Sequence, residues 1–121
     1  MADLSIQEAL ELGVAAHKAG RLQEADLYYT AILKSNPDHP DANHNMGVLA
    51  VGVRKVEEAL PFFRKAIDIN PKVEQFWISL IDALMKLNKS DEAKDVYSQA
   101  KKIGITVDVP FKIQQKKNTP E

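Results

Sequence analysis

The sequence predicts an all-α protein built from three helix-turn-helix hairpins, followed by an irregular C-terminal tail. The first observation is a repeat of 34 residues along the chain. The residues that recur at this interval are Pro37 and Pro71, Gly13 and Gly47, Ala25, Ala59 and Ala93, and Tyr29, Phe63 and Tyr97. The second observation is that apolar residues within each period recur three and four positions apart, the spacing of an amphipathic helix. The third is that no segment before the tail alternates regularly enough to indicate a strand.

The first hairpin has a clear start signal and a clear stop signal for its first helix. The Ser-x-x-Glu sequence at residues 5–8 is a capping box, which favours a helix beginning at this point. This helix is predicted over residues 6–19, because Gly20 suits the position after a helix C terminus. The second helix is predicted over residues 23–34 and ends before Pro37, which cannot continue it.

The other two hairpins follow the same plan. Their helices are predicted over residues 40–53, 56–69, 74–87 and 91–103. Pro40 fits a first helical turn, where its missing N–H is not needed, and Ser90 is predicted to cap the last helix. Gly104 follows that helix as a C-terminal glycine should. The repeats therefore span approximately residues 6–39, 40–73 and 74–104, so that residues 1–104 form one domain and residues 105–121 a tail.

The recurring positions resemble the tetratricopeptide repeat family, whose pattern is W-x2-L-G-x2-Y, then A-x3-F, then P. The matching residues are Leu12, Gly13, Ala25, Tyr29 and Pro37 in the first repeat, Met46, Gly47, Ala59, Phe63, Ala66 and Pro71 in the second, and Trp77, Leu80, Ala93, Tyr97 and Ala100 in the third. Ala9 and Asn43 depart from the Trp position, and Ile81 replaces the glycine of the third repeat. The repeats are of a bacterial style. The resemblance implies a right-handed α-solenoid with a concave groove.

The glycines and aromatic residues of the repeat predict how the helices pack. Gly13 and Gly47 are expected to let the first helix of a hairpin approach the second closely, at a cost of about 1 kcal/mol each in helix propensity. The aromatic residues of the repeat are expected to fill the larger gaps between hairpins. They are Tyr29, Phe63, Trp77 and Tyr97.

Composition excludes several classes of function. Hydrophobic residues make up 45% of the 121 residues and charged residues 27%, as in globular proteins. The net charge of −1 gives no general attraction for nucleic acid, and the lysines of the tail are interpreted as a solvated terminus. The absence of cysteine excludes thiol chemistry. No signal peptide or membrane-spanning stretch is visible, which predicts no membrane association and a cytoplasmic location.

No catalytic, metal or cofactor site is predicted. Residues 46–55, MGVLAVGVRK, superficially resemble a phosphate-binding loop, but they lack its Gly-Lys-Ser/Thr ending and lie within a predicted helix. His17, His39 and His44 do not share one helical face, so they indicate no metal site. The serines and carboxylates suit helix caps and solvated first turns. We therefore expect a protein that is not an enzyme.

The resemblance implies a partner-binding groove lined by the first helix of each hairpin. The residues that it places there are Leu10, Val14, His17, His44, Asn45, Val48, Val51, Gln75, Ile78, Asp82 and Met85. Six of these eleven residues are apolar, and they are expected to form the centre of the groove. Such a surface favours a protein partner that offers an amphipathic helix or an extended apolar peptide.

One subclass of the family binds the C-terminal carboxylates of heat-shock chaperones through a clamp of Lys, Asn and Arg residues. At the corresponding positions this sequence has Leu10, Val14, Asn45, Gln75 and Ser79, so it keeps only the Asn of the second repeat. Without the cations there is little to bind a pair of carboxylates. Chaperone tails are therefore not expected as partners.

Two alternatives stay open at this point. The repeats resemble those that position substrate for a fused or associated enzyme, such as a glycosyltransferase of the O-linked N-acetylglucosamine transferase kind. The chain is also consistent with a self-assembling scaffold, a homo-oligomer formed through the groove or the tail. In the tail, apolar residues alternate with polar ones from Ile105 to Ile113, which predicts an extended segment. This segment is expected to cover the end of the last hairpin, lie in a groove or pair with another copy.

Overall fold

The computed structural model describes residues 4–107, which form six α-helices and no strand. The helices are α1 (Ile6–Lys18), α2 (Leu22–Ser35), α3 (Pro40–Gly52), α4 (Val56–Ile69), α5 (Glu74–Lys86) and α6 (Ser90–Lys102). Each pair α1–α2, α3–α4 and α5–α6 is a hairpin, and the hairpins are joined by contacts of α2 with α3 and of α4 with α5. The prediction of an all-α protein made of three hairpins in chain order is therefore confirmed.

Short-range hydrogen bonds fix where the helices begin. At α1 the capping box is confirmed, because Ser5 Oγ accepts from the Glu8 N–H at 3.0 Å and the Ser5 N–H donates to Glu8 Oε1 at 2.9 Å. At α3, Pro40 is the first helical residue, and Nδ1 of His39 accepts from the Ala42 N–H at 3.1 Å. His39 is thus a helix cap and not part of a binding site.

The prediction that Ser90 caps α6 was wrong, since Ser90 is the first residue of that helix and Lys89 precedes it without a side-chain cap. The reason is a turn that all three hairpins share. The backbone N–H groups of Arg21, Lys55 and Lys89 donate to carbonyl groups five residues earlier, at 2.8 to 2.9 Å. This turn sets the start of α2, α4 and α6 at the repeat interval, whichever residue follows.

Gly13 and Gly47 allow close helix packing in the first two hairpins. A Cβ atom at Gly13 would lie 2.6 Å from Cε1 of Tyr29, and one at Gly47 would lie 2.7 Å from Cδ1 of Phe63. The expected close approach is present, and the aromatic ring of the second helix fills the space above each glycine. The prediction that Tyr29 and Phe63 lie between hairpins was wrong, because each ring packs against the glycine of its own hairpin.

The largest apolar cluster lies at the C-terminal side of the domain. It joins α4, α5 and α6, and its members include Phe63, Trp77 and Leu84. Ile105 packs against this cluster, and Val107 is buried within it with 4% of its surface exposed. The first three residues of the predicted tail therefore cover the last hairpin, whereas residues 108–121 lie outside the described residues. Within residues 4–107, no helix is long and apolar enough to cross a membrane.

Candidate functional site

Helices α1, α3 and α5, the first helices of the three hairpins, form one continuous surface. Helix α3 lies in the middle and contacts both α1 and α5. We call the outward face of these three helices the A-helix surface. All eleven residues of the predicted groove belong to these helices, which supply Leu10, Val14 and His17 from α1, His44, Asn45, Val48 and Val51 from α3, and Gln75, Ile78, Asp82 and Met85 from α5.

The apolar residues of the A-helix surface are exposed to different degrees. Val48, at the middle of the central helix, is the most open of them, with 36% of its surface exposed. The other five are partly buried, and Val51, Ile78 and Met85 also pack against the largest core cluster. The sequence assigned these side chains to recognition, and the structure shows that much of their surface serves the core.

A hydrogen-bonded group of side chains joins α3 to α5 on the A-helix surface. Nε2 of His44 lies 2.7 Å from Oγ of Ser79, and Nε2 of Gln75 donates to the same oxygen at 3.2 Å. The His44 ring also lies between two aromatic rings, with centroids 5.0 Å from Phe76 and 5.4 Å from Phe63. His44 and Gln75 were predicted to contact a partner, and within the chain they contact each other through Ser79.

Burial determines the charge state of His44. Desolvation lowers the pKa of its imidazole below the ordinary value of 6.5, and the neighbouring Asn45 amide and Asp41 carboxylate act weakly in the opposite direction. The neutral ring is therefore the favoured form at pH 7. It accepts or donates hydrogen bonds at this surface without bringing a positive charge.

His17 is held in a different way at the α1 end of the A-helix surface. Its Nδ1 lies 3.3 Å from the hydroxyl of Tyr29, which is fully buried beneath it. The two rings meet edge to face, with centroids 6.1 Å apart. Burial raises the pKa of the Tyr29 hydroxyl, so the phenol stays neutral and able to donate. This contact fixes the orientation of His17.

The remaining polar residues lie at the rim. The Asp82 carboxylate is exposed and accepts from Lys86 Nζ at 2.9 Å, one helical turn further along α5. Asn45 is partly buried on α3 beside His44. In the described part of the chain, no group of three or more His, Cys, Asp or Glu side chains is arranged to hold a metal ion. The A-helix surface thus offers apolar contact at Val48 and neutral hydrogen-bonding groups around it.

Sequence reasoning missed a second apolar surface on the first hairpin. A pocket of about 390 Å³ lies between the start of α1 and the outer flank of α2. Its lining includes Leu4, Leu27 and Tyr28, and Leu27 has 72% of its surface exposed. The signal was present in the sequence, because the residues equivalent to Leu4 in the other two repeats are the charged Asp38 and Lys72.

Comparison with known proteins agrees with this architecture. Solved MamA structures share the fold. The MamA MSR-1 C2 structure is 28% identical, with a TM-score of 0.69, and the match covers 80% of this chain and 56% of that chain. A crystal structure of MamA is 20% identical, with a TM-score of 0.75, over 93% of this chain and 60% of that one. The MamA AMB-1 P212121 structure is 15% identical, with a TM-score of 0.71, over 96% and 61%.

The chain thus spans about three fifths of the length of these MamA chains. No curated protein matches it. Two tetratricopeptide repeat family models match it, one over residues 10–74 and the other over residues 50–104. The first of these alone covers more than half of the sequence. With three stacked hairpins, a repeat of 34 residues and these matches, the chain belongs to the tetratricopeptide repeat family, a family of protein-interaction modules.

Proposed function

We propose that this protein is a non-catalytic interaction module that binds a helix or an extended apolar peptide of a partner protein along the A-helix surface. The observation that carries the proposal is the position of Val48. An exposed apolar side chain at the middle of the central helix is flanked by partly exposed Val14 on α1 and Ile78 on α5. Apolar contact surrounded by hydrogen-bonding groups is typical of recognition surfaces.

The polar groups of this surface favour a neutral or apolar ligand segment. Gln75 and Ser79 lie at two of the positions where the chaperone-binding subclass has charged or amide groups, and both are hydrogen-bonded to each other. Ser79 is also bonded to His44, whose neutral form is favoured. A carboxylate brought to these positions would meet no fixed cation there, so its desolvation would not be offset.

The Ser79–His44 contact has the distance of a nucleophile and its general base, so hydrolysis needs to be considered. Ser79 lies in the interior of α5, where the surrounding backbone N–H groups are engaged in helical hydrogen bonds. Such a position supplies no pair of free N–H groups for an oxyanion. The His44 ring is also enclosed by Phe63 and Phe76, which favours a structural role. These arguments support binding over catalysis.

The test is partner capture from a native lysate by the full chain and by charged variants. Val48→Glu places a carboxylate at the most exposed apolar position, and Ile78→Glu added to it extends the charge onto α5. Val53→Glu is a matched control, because Val53 is similarly exposed at 42% and is not part of the predicted groove. We expect capture to be lost in Val48→Glu and retained in Val53→Glu.

Ile78 packs against the core, so the double variant needs a check that it folds. Circular dichroism provides it, and the single variant Val48→Glu carries the conclusion if the double variant loses helicity. Undiminished capture by a folded double variant overturns the assignment of the A-helix surface. Light-scattering mass measured across a dilution series shows in addition whether a second copy of the chain occupies this surface.

A further inference from the structure

The first hairpin carries an apolar surface that the proposed function does not use. We call it the end surface, and its residues are Leu4, Ala9, Leu12, Leu27, Tyr28 and Ala31. Five of them line the pocket beside the start of α1, and Leu12 lies one helical turn after Ala9 on the same helix. Leu4, Leu12 and Leu27 are among the most exposed large apolar residues of the described chain.

The repeat shows what covers the same surface elsewhere in the molecule. The residues of the third hairpin that lie 68 positions after Ala9, Leu12, Tyr28 and Ala31 are Trp77, Leu80, Val96 and Gln99. These four line a small cleft together with Arg64, Ile67 and Asp68 of α4. Helix α4 therefore lies over the third hairpin at this place. Under this cover Leu80 is 2% exposed, whereas its equivalent Leu12 is 41% exposed.

The second hairpin is covered in the same manner by α2. Helix α2 contacts α3, and its Leu33 packs against the cluster that contains Ala42. Leu33 and Ile67 are equivalent positions, 34 residues apart. Each internal copy of the end surface thus receives an aliphatic side chain from the helix that precedes it. Within residues 4–107, no helix lies over the copy on the first hairpin.

A charged pair at the edge of the third hairpin adds specificity. Oε2 of Glu92 lies 3.1 Å from Nη2 of Arg64 on the covering helix, and Oε1 of Glu92 lies 3.8 Å from Nζ of Lys89 on its own hairpin. In the first hairpin the equivalents of Glu92 and Lys89 are Glu24 and Arg21, which form a pair at 3.1 Å. Glu24 also lines the pocket of the end surface. The first hairpin therefore repeats the part of this arrangement that receives a cation from a covering helix.

A second copy of the chain does not offer a suitable helix at its other end. Helix α6 is the third member of the series α2, α4 and α6, but the residue equivalent to Leu33 and Ile67 is Lys101. Its Nζ lies 5.4 Å from the ring centroid of Tyr97, at the surface. Stacking α6 of one copy on the end surface of another would press a lysine against Leu12, which disfavours head-to-tail assembly.

We propose that the end surface of the first hairpin binds an amphipathic helix of a partner protein that carries a basic residue three positions before an aliphatic residue. The aliphatic side chain packs against Ala9, Leu12 and Tyr28, as Ile67 packs on the third hairpin. The basic side chain pairs with Glu24, as Arg64 pairs with Glu92. This surface is separate from the A-helix surface, so each of the two sites stands or fails independently.

The probe is a fluorescein-labelled, hydrocarbon-stapled peptide of residues 56–69, the sequence of α4, with Pro61 replaced by Ala and its helicity verified by circular dichroism. Fluorescence anisotropy measures its binding to the full chain. We expect saturable binding that weakens at least tenfold in Leu12→Glu. The variant Val48→Glu serves as the control and is expected to bind normally, because it alters only the A-helix surface.

A charge exchange tests the predicted pairing directly. Glu24→Lys is expected to weaken binding of the Arg64 peptide and to strengthen binding of a peptide with Arg64→Glu. A general loss of affinity for both peptides would contradict the pairing of the basic residue with Glu24. No binding of the helical peptide, or equal binding to the Leu12→Glu chain, overturns the proposal.

A second measurement does not depend on peptide affinity. Residues 56–73, which are α4 and the loop after it, are fused directly before residue 6, the repeat equivalent of residue 74. We expect this fusion to raise Tm relative to the same fusion with Ile67→Glu in the added helix. Equal Tm values contradict the proposal. If the unmodified chain instead forms dimers that Leu12→Glu dissociates, the occupant is a second copy, and the partner assignment is wrong.

Discussion

Leu12 of the first hairpin and Leu80 of the third are the same residue type at equivalent repeat positions, yet they are 41% and 2% exposed. The helices that carry them belong to hairpins of the same design. The difference lies in helix α4, which covers Leu80 and has no counterpart over Leu12 within residues 4–107. Burial in a stacked repeat is therefore decided by the neighbouring hairpin, and a repeat pattern alone does not distinguish a core residue from a binding residue.

The largest expected effect comes from truncating these two leucines. Leu80→Ala leaves a cavity in the largest core cluster and is expected to lower the free energy of unfolding by about 2–5 kcal/mol. Leu12→Ala removes a side chain that is already partly in water, and we expect a loss of less than about 1 kcal/mol. Urea denaturation of both variants measures the two values. Equal losses would show that Leu12 is covered in solution.

The glycines separate the first two hairpins from the third by a smaller effect. Gly47→Ala places a Cβ against the Phe63 ring, and overpacking of this kind costs about 1–3 kcal/mol. The gain of about 1 kcal/mol in helix propensity offsets part of that cost. Gly52→Ala is the matched control on the same helix, since nothing lies within 4 Å of its added Cβ. We expect Gly47→Ala to lower Tm and Gly52→Ala to raise it or leave it unchanged.

The third hairpin has Ile81 at the glycine position, and its side chain is fully buried. Ile81→Gly is therefore expected to destabilise the protein, whereas the equivalent residues Gly13 and Gly47 are required where they stand. A stabilised Ile81→Gly variant would contradict this account of the packing. Thermal unfolding followed by circular dichroism decides between the two outcomes.

The fold was predictable because it depends on local and periodic signals. The capping box at Ser5, Pro40 in a first turn and the repeat interval each act within a few residues or at a fixed spacing, so they were visible in one sequence. The hydrogen bond from His44 to Ser79 joins residues 35 positions apart on different hairpins. It depends on how α3 and α5 are placed, which no local signal reports.

The binding surfaces were harder to predict than the helices. Family resemblance named the helices that line the A-helix surface, but the exposure of Val48 and the partial burial of Ile78 depend on packing. The end surface was missed because its residues were each explained as parts of amphipathic helices. Alignment of the repeats exposes it, since Leu27 is apolar where the third repeat has Asp95.

The lowered pKa of His44 predicts a pH effect at the junction of the second and third hairpins. Because the pKa is lower in the folded than in the unfolded state, the unfolded chain binds the proton more readily. Stability is therefore complete above about pH 6.5 and falls as the pH decreases through that value toward the folded pKa. Urea unfolding at pH 7.5 and 5.5 measures the change. We expect a smaller change in His44→Gln, and the same change in both proteins would contradict the assignment to His44.

The smallest expected effect is at the Arg21–Glu24 pair, and it separates stability from binding. Both side chains are about half exposed, so solvent screens the pair and its removal costs about 0–1 kcal/mol. Glu24→Gln is therefore expected to leave Tm nearly unchanged while it weakens binding of the α4 peptide. Glu92→Gln is the matched variant on the third hairpin, where the covering helix is part of the same chain. If Glu24→Gln lowered Tm as much as Leu80→Ala does, Glu24 would serve the fold of the first hairpin, and its peptide-binding result would carry no information about recognition.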